Sequence, residues 1–214
     1  MAAENVIPTR MNLLARRAQF KLASDGLVVL RGKRDALLKE LIARARRFRE
    51  LQRELQERGR AAAAALMMAR AVRGTPEVRS VALAGRRSLQ VSVSYQTVWG
   101  VLLGSVSHGG IVRSSAERGV GRVDYSAHIF EAAEAAEALV EQLLLCAPLE
   151  GQIQTMGEEV RKVSRRINAI EEHLLPRLRE EMQTITQVLD EREREDRFRL
   201  KRVKKKKAEA KKKG

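Results

Sequence analysis

The chain has 214 residues, 32% of them charged and only 3% aromatic, with a formal net charge of +15. Four Phe, two Tyr and one Trp are too few to fill a compact core of that length, and no run of about 18 apolar residues exists to cross a membrane. A single cysteine, Cys146, excludes an internal disulfide and sits in the apolar run Leu143-Leu144-Leu145 as a small buried residue. The N-terminus carries no signal-peptide hydrophobic region. Ala, Leu, Glu, Arg and Lys dominate both ends of the chain, a mixture typical of long helices and coiled coils.

The first predicted element covers residues 9–73 and contains no proline. One heptad track reads Leu13, Phe20, Leu27, Arg34, Leu41, Phe48, Leu55. A second, Ala23, Leu30, Leu37, Arg44, Leu51, lies between its members. Alternating steps of three and four place both tracks on one helix face. An amphipathic helix inside a globule would show the same face, but ordinary helices average ~11–12 residues and this pattern lasts several times longer. At 1.5 Å per residue such a helix spans roughly 90 Å. Thr9 after Pro8 is the expected N-cap, and Gly74-Thr75-Pro76 is the expected stop.

Residues 74–125 differ in character, being rich in Gly, Ser and Val. Leu89, Val91 and Val93 alternate with Gln90, Ser92 and Ser94, which is the period of a strand. The apolar run from Val98 to Val106 is a candidate partner, and Ser107-His108-Gly109-Gly110 reads as a turn. The region is too short for an independent domain and is expected to form a small head bearing a hairpin. Gly119-Val120-Gly121 is expected only to ease entry into the next helix.

A second long helix is predicted over 126–200, with Ser126 as N-cap. Its apolar track is Ile153, Met156, Val160, Val163, Ile167, Ile170, Leu174, then Leu178, Met182, Ile185 and Leu189. Two successive steps of four around Pro176 make a stutter, and the proline should kink the helix. Residues 1–73 carry 17 basic and 7 acidic side chains, whereas 126–198 carry 9 and 16. Opposite charge favours pairing of the two helices with each other over self-pairing of either. The predicted fold is therefore mainly α: a long antiparallel two-helix coiled coil with a small β-hairpin-containing head between the helices. Its core is assigned to Leu13, Phe20, Leu27, Leu41, Phe48, Leu55, Ile153, Val160, Ile167 and Leu174. Residues 201–214 are Lys-rich and expected to be disordered.

Motifs for catalysis are missing. There is no GxxxxGK[ST] loop, no GxSxG elbow, and His108, His128 and His173 have no companions at metal-ligand spacing. Carboxylates fall beside arginines on helix surfaces and read as ion pairs. No catalytic residue, metal or cofactor is assigned. The lysine tail raises the alternative of a coiled-coil nucleic-acid-binding protein, though only Phe198 lies near it as a stacking group and the acidic second helix would repel phosphates.

Several stretches resemble a known family. They are Pro8-Thr9-Arg10-Met11-Asn12-Leu13-Leu14, Gly32-Lys33-Arg34-Asp35-Ala36-Leu37, Arg165-Arg166-Ile167-Asn168-Ala169-Ile170-Glu171 and Leu174-Leu175-Pro176-Arg177. Leu189-Asp190-Glu191-Arg192-Glu193-Arg194-Glu195-Asp196 and Phe198-Arg199-Leu200-Lys201 complete the set, with Val98-Trp99-Gly100 in the middle. In this order and spacing they resemble the D subunit of V-type and archaeal or bacterial A-type rotary ATPases; Gln90 to Val120 departs from the pattern. The resemblance implies a non-catalytic central-stalk rotor at the cytoplasmic face of the membrane, peripheral through its complex. It implies partners in the A and B subunits of the catalytic hexamer, the F subunit, and the C (or d) subunit at the rotor ring. It also implies torque transmission coupling ATP synthesis or hydrolysis to proton or sodium transport, with no nucleotide or nucleic acid bound directly. Arg10, Arg16, Arg17, Arg192, Arg194 and Arg197 are candidates for contact with acidic loops of the hexamer, and ion pairing with neighbouring glutamates is the competing reading. Another stalk of similar shape, such as that of a secretion-system ATPase, is a further alternative.

Overall fold

A computed structural model describes residues 7–114, 117–118 and 126–212, with side chains through 207. Gly119-Val120-Gly121, the end of the head at Tyr125 and the last residues of the tail lie outside the described residues. Helix α1 runs Arg10–Arg73, a short α2 Thr75–Ala84, strands β1 Val91–Val98 and β2 Val101–His108, α3 Ala127–Ala169 and α4 Leu175–Lys212. The chain is mainly α, with coiled-coil helices on either side of one antiparallel hairpin. A π-turn, Ile170–Leu174, joins α3 to α4.

The helix ends follow from local chemistry. Thr9 Oγ1 accepts the Asn12 N–H at 3.2 Å and so caps α1. Ser126 Oγ accepts the His128 N–H at 3.3 Å at the start of α3. Gly74 closes α1 with φ of 78° while its N–H bonds the Arg70 carbonyl at 2.9 Å, a conformation that only glycine adopts freely. Pro76 then falls in the first turn of α2, where its missing N–H costs nothing. The stop signal thus also starts a new helix, and α2 was not expected from the sequence.

Contacts divide the chain into two units: Met1–Arg34 with Lys162–Gly214, and Asp35–Arg161. In the first, α1 runs antiparallel to the later helices. Arg10 meets Glu193 at 2.5 Å, Arg16 meets Glu181 at 2.9 Å, and Arg31 pairs with Glu171. Every one of these joins a base on α1 to an acid on the second helical strand, which is the complementarity read from the charge balance. The Arg179 guanidinium also lies 5.6 Å from the Phe20 ring centroid. Leu27, Val163, Ile167, Leu178 and Ile185 are buried here.

In this unit the core is interrupted. From Ile167 the next buried residue on that strand is Leu178, eleven positions on. Leu174, which the heptad count assigns to the core, is 42% exposed. The cause is the π-turn. Proline at 176 has no N–H and its ring collides with the carbonyl four residues earlier. The chain answers by closing a wider turn, in which the Leu175 N–H bonds Ile170 O. The extra residue rotates Leu174 away from α1 and brings Leu178 in.

In the second unit α1 again opposes α3 in antiparallel fashion. Arg44 Nε donates to Gln152 Oε1 at 3.1 Å and Arg58 Nη1 to the Ala138 carbonyl at 3.2 Å. Leu37, Leu51 and Met156 are buried on this part of the pair, while Leu41, Phe48, Leu55, Ile153 and Val160 are half-buried flanks. Near the end of α1 the residues become small. Ala69, Ile129 and Ala132 form a buried cluster against which Ala65, Val78 and Val81 pack, seating α2 on the two long helices.

The strands pair in register from Val91↔His108 to Val98↔Val101. The turn is Trp99-Gly100, with φ of 52° and 78°, the two positive values of a two-residue hairpin turn. The sequence reading placed Trp99-Gly100 inside one apolar run and a turn at Ser107–Gly110. A tryptophan rarely adopts positive φ, so the turn signal was hidden. The lysine segment, expected to be disordered from 201, continues α4 as helix to Lys212. Lysine is a good helix former, and the helix propagates from the turns before it.

Candidate functional site

Among the described residues no cluster of catalytic or metal-ligating side chains is seen. Among the described residues no group of three or more His, Cys, Asp and Glu could hold a metal. His108 is bonded to the Gly109 carbonyl, His128 lies beside Glu131 at 3.3 Å, and Cys146 is buried. Burial pushes the Cys146 thiol pKa up, with Glu54 and Glu150 adding to the effect, so the thiolate is disfavoured. Among the described residues no helix is long and apolar enough to span a membrane.

What the fold builds instead is a set of polar locks that hold helices and hairpin together. Gln142 is 1% exposed and donates through Nε2 to the Leu51 carbonyl at 3.2 Å and to Glu54 Oε2 at 3.0 Å. A buried amide with only one satisfying alignment sets the register of α1 against α3. Its sequence signal was available: it interrupts the apolar run Leu139-Val140 to Leu143-Leu144-Leu145.

Gln152 ties three elements at once. Its Nε2 donates to the Gly104 carbonyl on β2 at 2.7 Å while its Oε1 takes the Arg44 bond from α1. Arg44 also pairs with Glu40. Beside this anchor Val101 and Leu103 are buried, and Gly104 lets the Tyr95 ring lie where a Cβ would come within 3.4 Å of it. Replacing Gln152 with alanine is expected to cost about 1–2 kcal/mol, by removing both hydrogen bonds and leaving the Gly104 carbonyl without this donor. Hydrogen exchange should show it as faster exchange confined to β1 and β2; equal protection of the hairpin in both proteins would contradict the anchor.

The third lock holds the segment after the hairpin. Glu137 on α3 accepts from the Arg113 backbone N–H at 2.9 Å, from Arg113 Nε at 2.8 Å and from Arg118 at 3.0 Å. Arg118 also donates to the Phe130 carbonyl. Side-chain exposure is 13% for Glu137 and 7% for Arg118. Burial pulls the Glu137 pKa up, but the hydrogen bonds from Arg113 and Arg118 outweigh it and leave the carboxyl below its ordinary value. Nothing in the sequence pattern pointed to this cluster, because its members lie 19 and 24 positions apart.

Outside these locks the surface is unusual for a free-standing protein. From Ser88 to Val112 there is no Asp, Glu, Lys or Arg. Val93, Tyr95, Trp99 and Leu102 of this hairpin are more than half exposed, as are Met67, Met68 and Val72 on the last turns of α1 and Phe198, Leu200 and Val203 on α4. Apolar patches of this kind mark protein–protein contact. The arginines singled out from the sequence are mostly engaged within the first unit. Arg10 and Arg16 have the pairs given above, Arg192 donates to the Pro8 carbonyl at 3.3 Å, and Arg197 lies 3.5 Å from Glu193. Arg194 lines a groove with Arg197, Phe198 and Lys201, and Arg17 one with Arg179 and Met182.

Long paired helices held by internal polar locks, with apolar side chains facing outward, are the features that the described residues present. Comparison with known proteins gives the family. Residues 12–205 match the family model for the ATP synthase D subunit. The chain is 35% identical to the D subunit of the A-type ATP synthase of Methanosarcina mazei, covering 95% of this chain and 98% of the relative. It is 38% identical to the D subunit of the V-type ATP synthase of Thermus thermophilus, over 93% of this chain and 87% of that one. The A-type counterpart from Halorubrum lacusprofundi is 36% identical over 94% and 89%. This chain belongs to the ATP synthase D-subunit family.

Proposed function

We propose that this chain is the central-stalk shaft of an A/V-type rotary ATPase. It transmits torque between the catalytic hexamer of A and B subunits and the ion-translocating ring in the membrane, and has no catalytic role itself. The observation that supports this most is the family match over residues 12–205 to a chain whose described part is helix paired on helix. Interlocked cores resist twisting because every buried side chain must shift for one helix to slide on the other. An asymmetric shaft touches equivalent catalytic pairs differently, so coupling is a difference of contact energy between rotor angles.

On this reading the shaft meets the A and B hexamer through side chains that include Arg10, Arg16, Arg17, Arg192, Arg194 and Arg197. The F subunit and the C (or d) subunit, above the rotor ring, take the remaining contacts. The chain stays on the cytoplasmic face, attached to the membrane through the complex, and the coupled ion is a proton or sodium. Affinity purification of the tagged chain from its native host tests the reading. The A and B subunits are expected in the purified complex with ATPase activity; a stable native complex lacking both would overturn the assignment.

A further inference from the structure

Two independent irregularities meet at one level of the first unit. On the later strand, the π-turn Ile170–Leu174 precedes Pro176, and no residue between Ile167 and Leu178 is buried. On α1 stand Gly26 and Gly32, both in the interior of a 64-residue helix. A Cβ added at either would meet nothing within 4 Å, and neither has a positive φ. Close packing and backbone conformation therefore leave both positions open to alanine. Glycine in such a place only adds backbone freedom.

The ion pairs show that the two irregularities face each other. Arg31 meets Glu171 and Arg16 meets Glu181, so Gly26 lies opposite the stretch between Glu171 and Glu181, which contains Pro176. Gly32 adjoins the Arg31–Glu171 pair. Two of the three α1 glycines, the two with open space around them, thus lie where the other strand has its wide turn, Pro176 and a gap in buried side chains.

We infer that this level is a compliant joint, at which the two helices loosen and bend in concert while Arg31–Glu171 and Leu27 keep the register. From Leu37 onward along α1 a buried residue or a polar lock recurs, through Leu37, the Arg44–Gln152 bond, Leu51, Ala62 and Ala69. Deformation is therefore easier at this level than along that stretch, because local opening goes where buried contacts and helix propensity are both low. For a shaft, such a joint lets one end lag the other under load without the helices parting. That consequence rests on the shaft reading, but the joint itself does not.

Amide hydrogen exchange on the full-length isolated chain tests it. Amides around Gly26, Gly32 and residues 170–176 are expected to exchange faster than those around Leu37 and Met156. Gly26→Ala and Gly32→Ala should each slow exchange on α1 about fivefold. Together they should also slow it across residues 170–176 of the facing helix. Gly151→Ala, at another helical glycine with nothing within 4 Å of its Cβ, should slow only its own neighbours. Three results would each overturn the joint: protection around Gly26 equal to that around Leu37, slowing confined to α1 in the double variant, or equal slowing at 170–176 from Gly151→Ala. Failure to copurify the A and B subunits would leave this result readable, since no partner takes part.

Discussion

Replacing Ile167 with aspartate is expected to destabilise the chain by about 4 kcal/mol or more, the cost of placing an unpaired charge where no water reaches. Ile167 is 2% exposed and lies beside Val163, the last buried residue before it. Leu174, one heptad further on, provides the control. The same substitution there should change stability by no more than about 0.5 kcal/mol, since a 42% exposed side chain already keeps a charge in contact with water. Urea unfolding followed by circular dichroism measures both. Equal losses at the two positions would mean that the heptad phase continues through the π-turn. In the assembled complex the shaft reading adds a functional outcome: Ile167→Asp should let ATP hydrolysis run without matching ion transport, because a loosened helix pair no longer carries torque.

Glu137→Ala should be the other severe substitution, costing about 3 kcal/mol, because it leaves the largely buried Arg113 and Arg118 without their shared counter-charge. Its pH dependence has a definite sign. The folded-state pKa of Glu137 lies below the ordinary 4.5. The stability it contributes is therefore complete above about pH 4.5 and is lost as pH falls through the folded-state value. The stability gap between the parent chain and Glu137→Ala should be constant near neutrality and narrow progressively below about pH 4.5. A gap that stays the same into strong acid would show that the carboxylate charge is not what holds the segment. Glu117 behaves in the same direction, held down first by the Ser114 backbone N–H and then by its hydroxyl. It is fully open to solvent and is expected to add little.

These two substitutions separate what periodicity can report from what it cannot. Heptad spacing and the opposite charges of the two helical segments were enough to place α1 against α3 and α4, since both are properties of a helix face and need no knowledge of distance. Thr9, Gly74 and Ser126 could be read as helix ends because capping chemistry is local. The ordered set of short motifs pointed to the family.

The remaining features depend on groups that meet only after the chain has folded back. Proline at 176 announced a kink, but whether the helix would break, bend or widen depended on what Leu174 and Leu178 could pack against, and the outcome moved Leu174 into solvent. The hairpin turn at Trp99-Gly100 needed a tryptophan at positive φ, which local preference argues against and strand pairing from Val91 to His108 enforces. The Gln152 anchor and the Glu137 cluster join residues many positions apart, and no spacing rule links them. By itself, then, the sequence determined the two long helical segments, their antiparallel partnership and the family, because those follow from repeating local pattern. Only the tertiary structure decided the phase of the core across Ile170–Leu174, the seat of the hairpin and the polar locks, because each is a balance between distant groups competing for the same buried space.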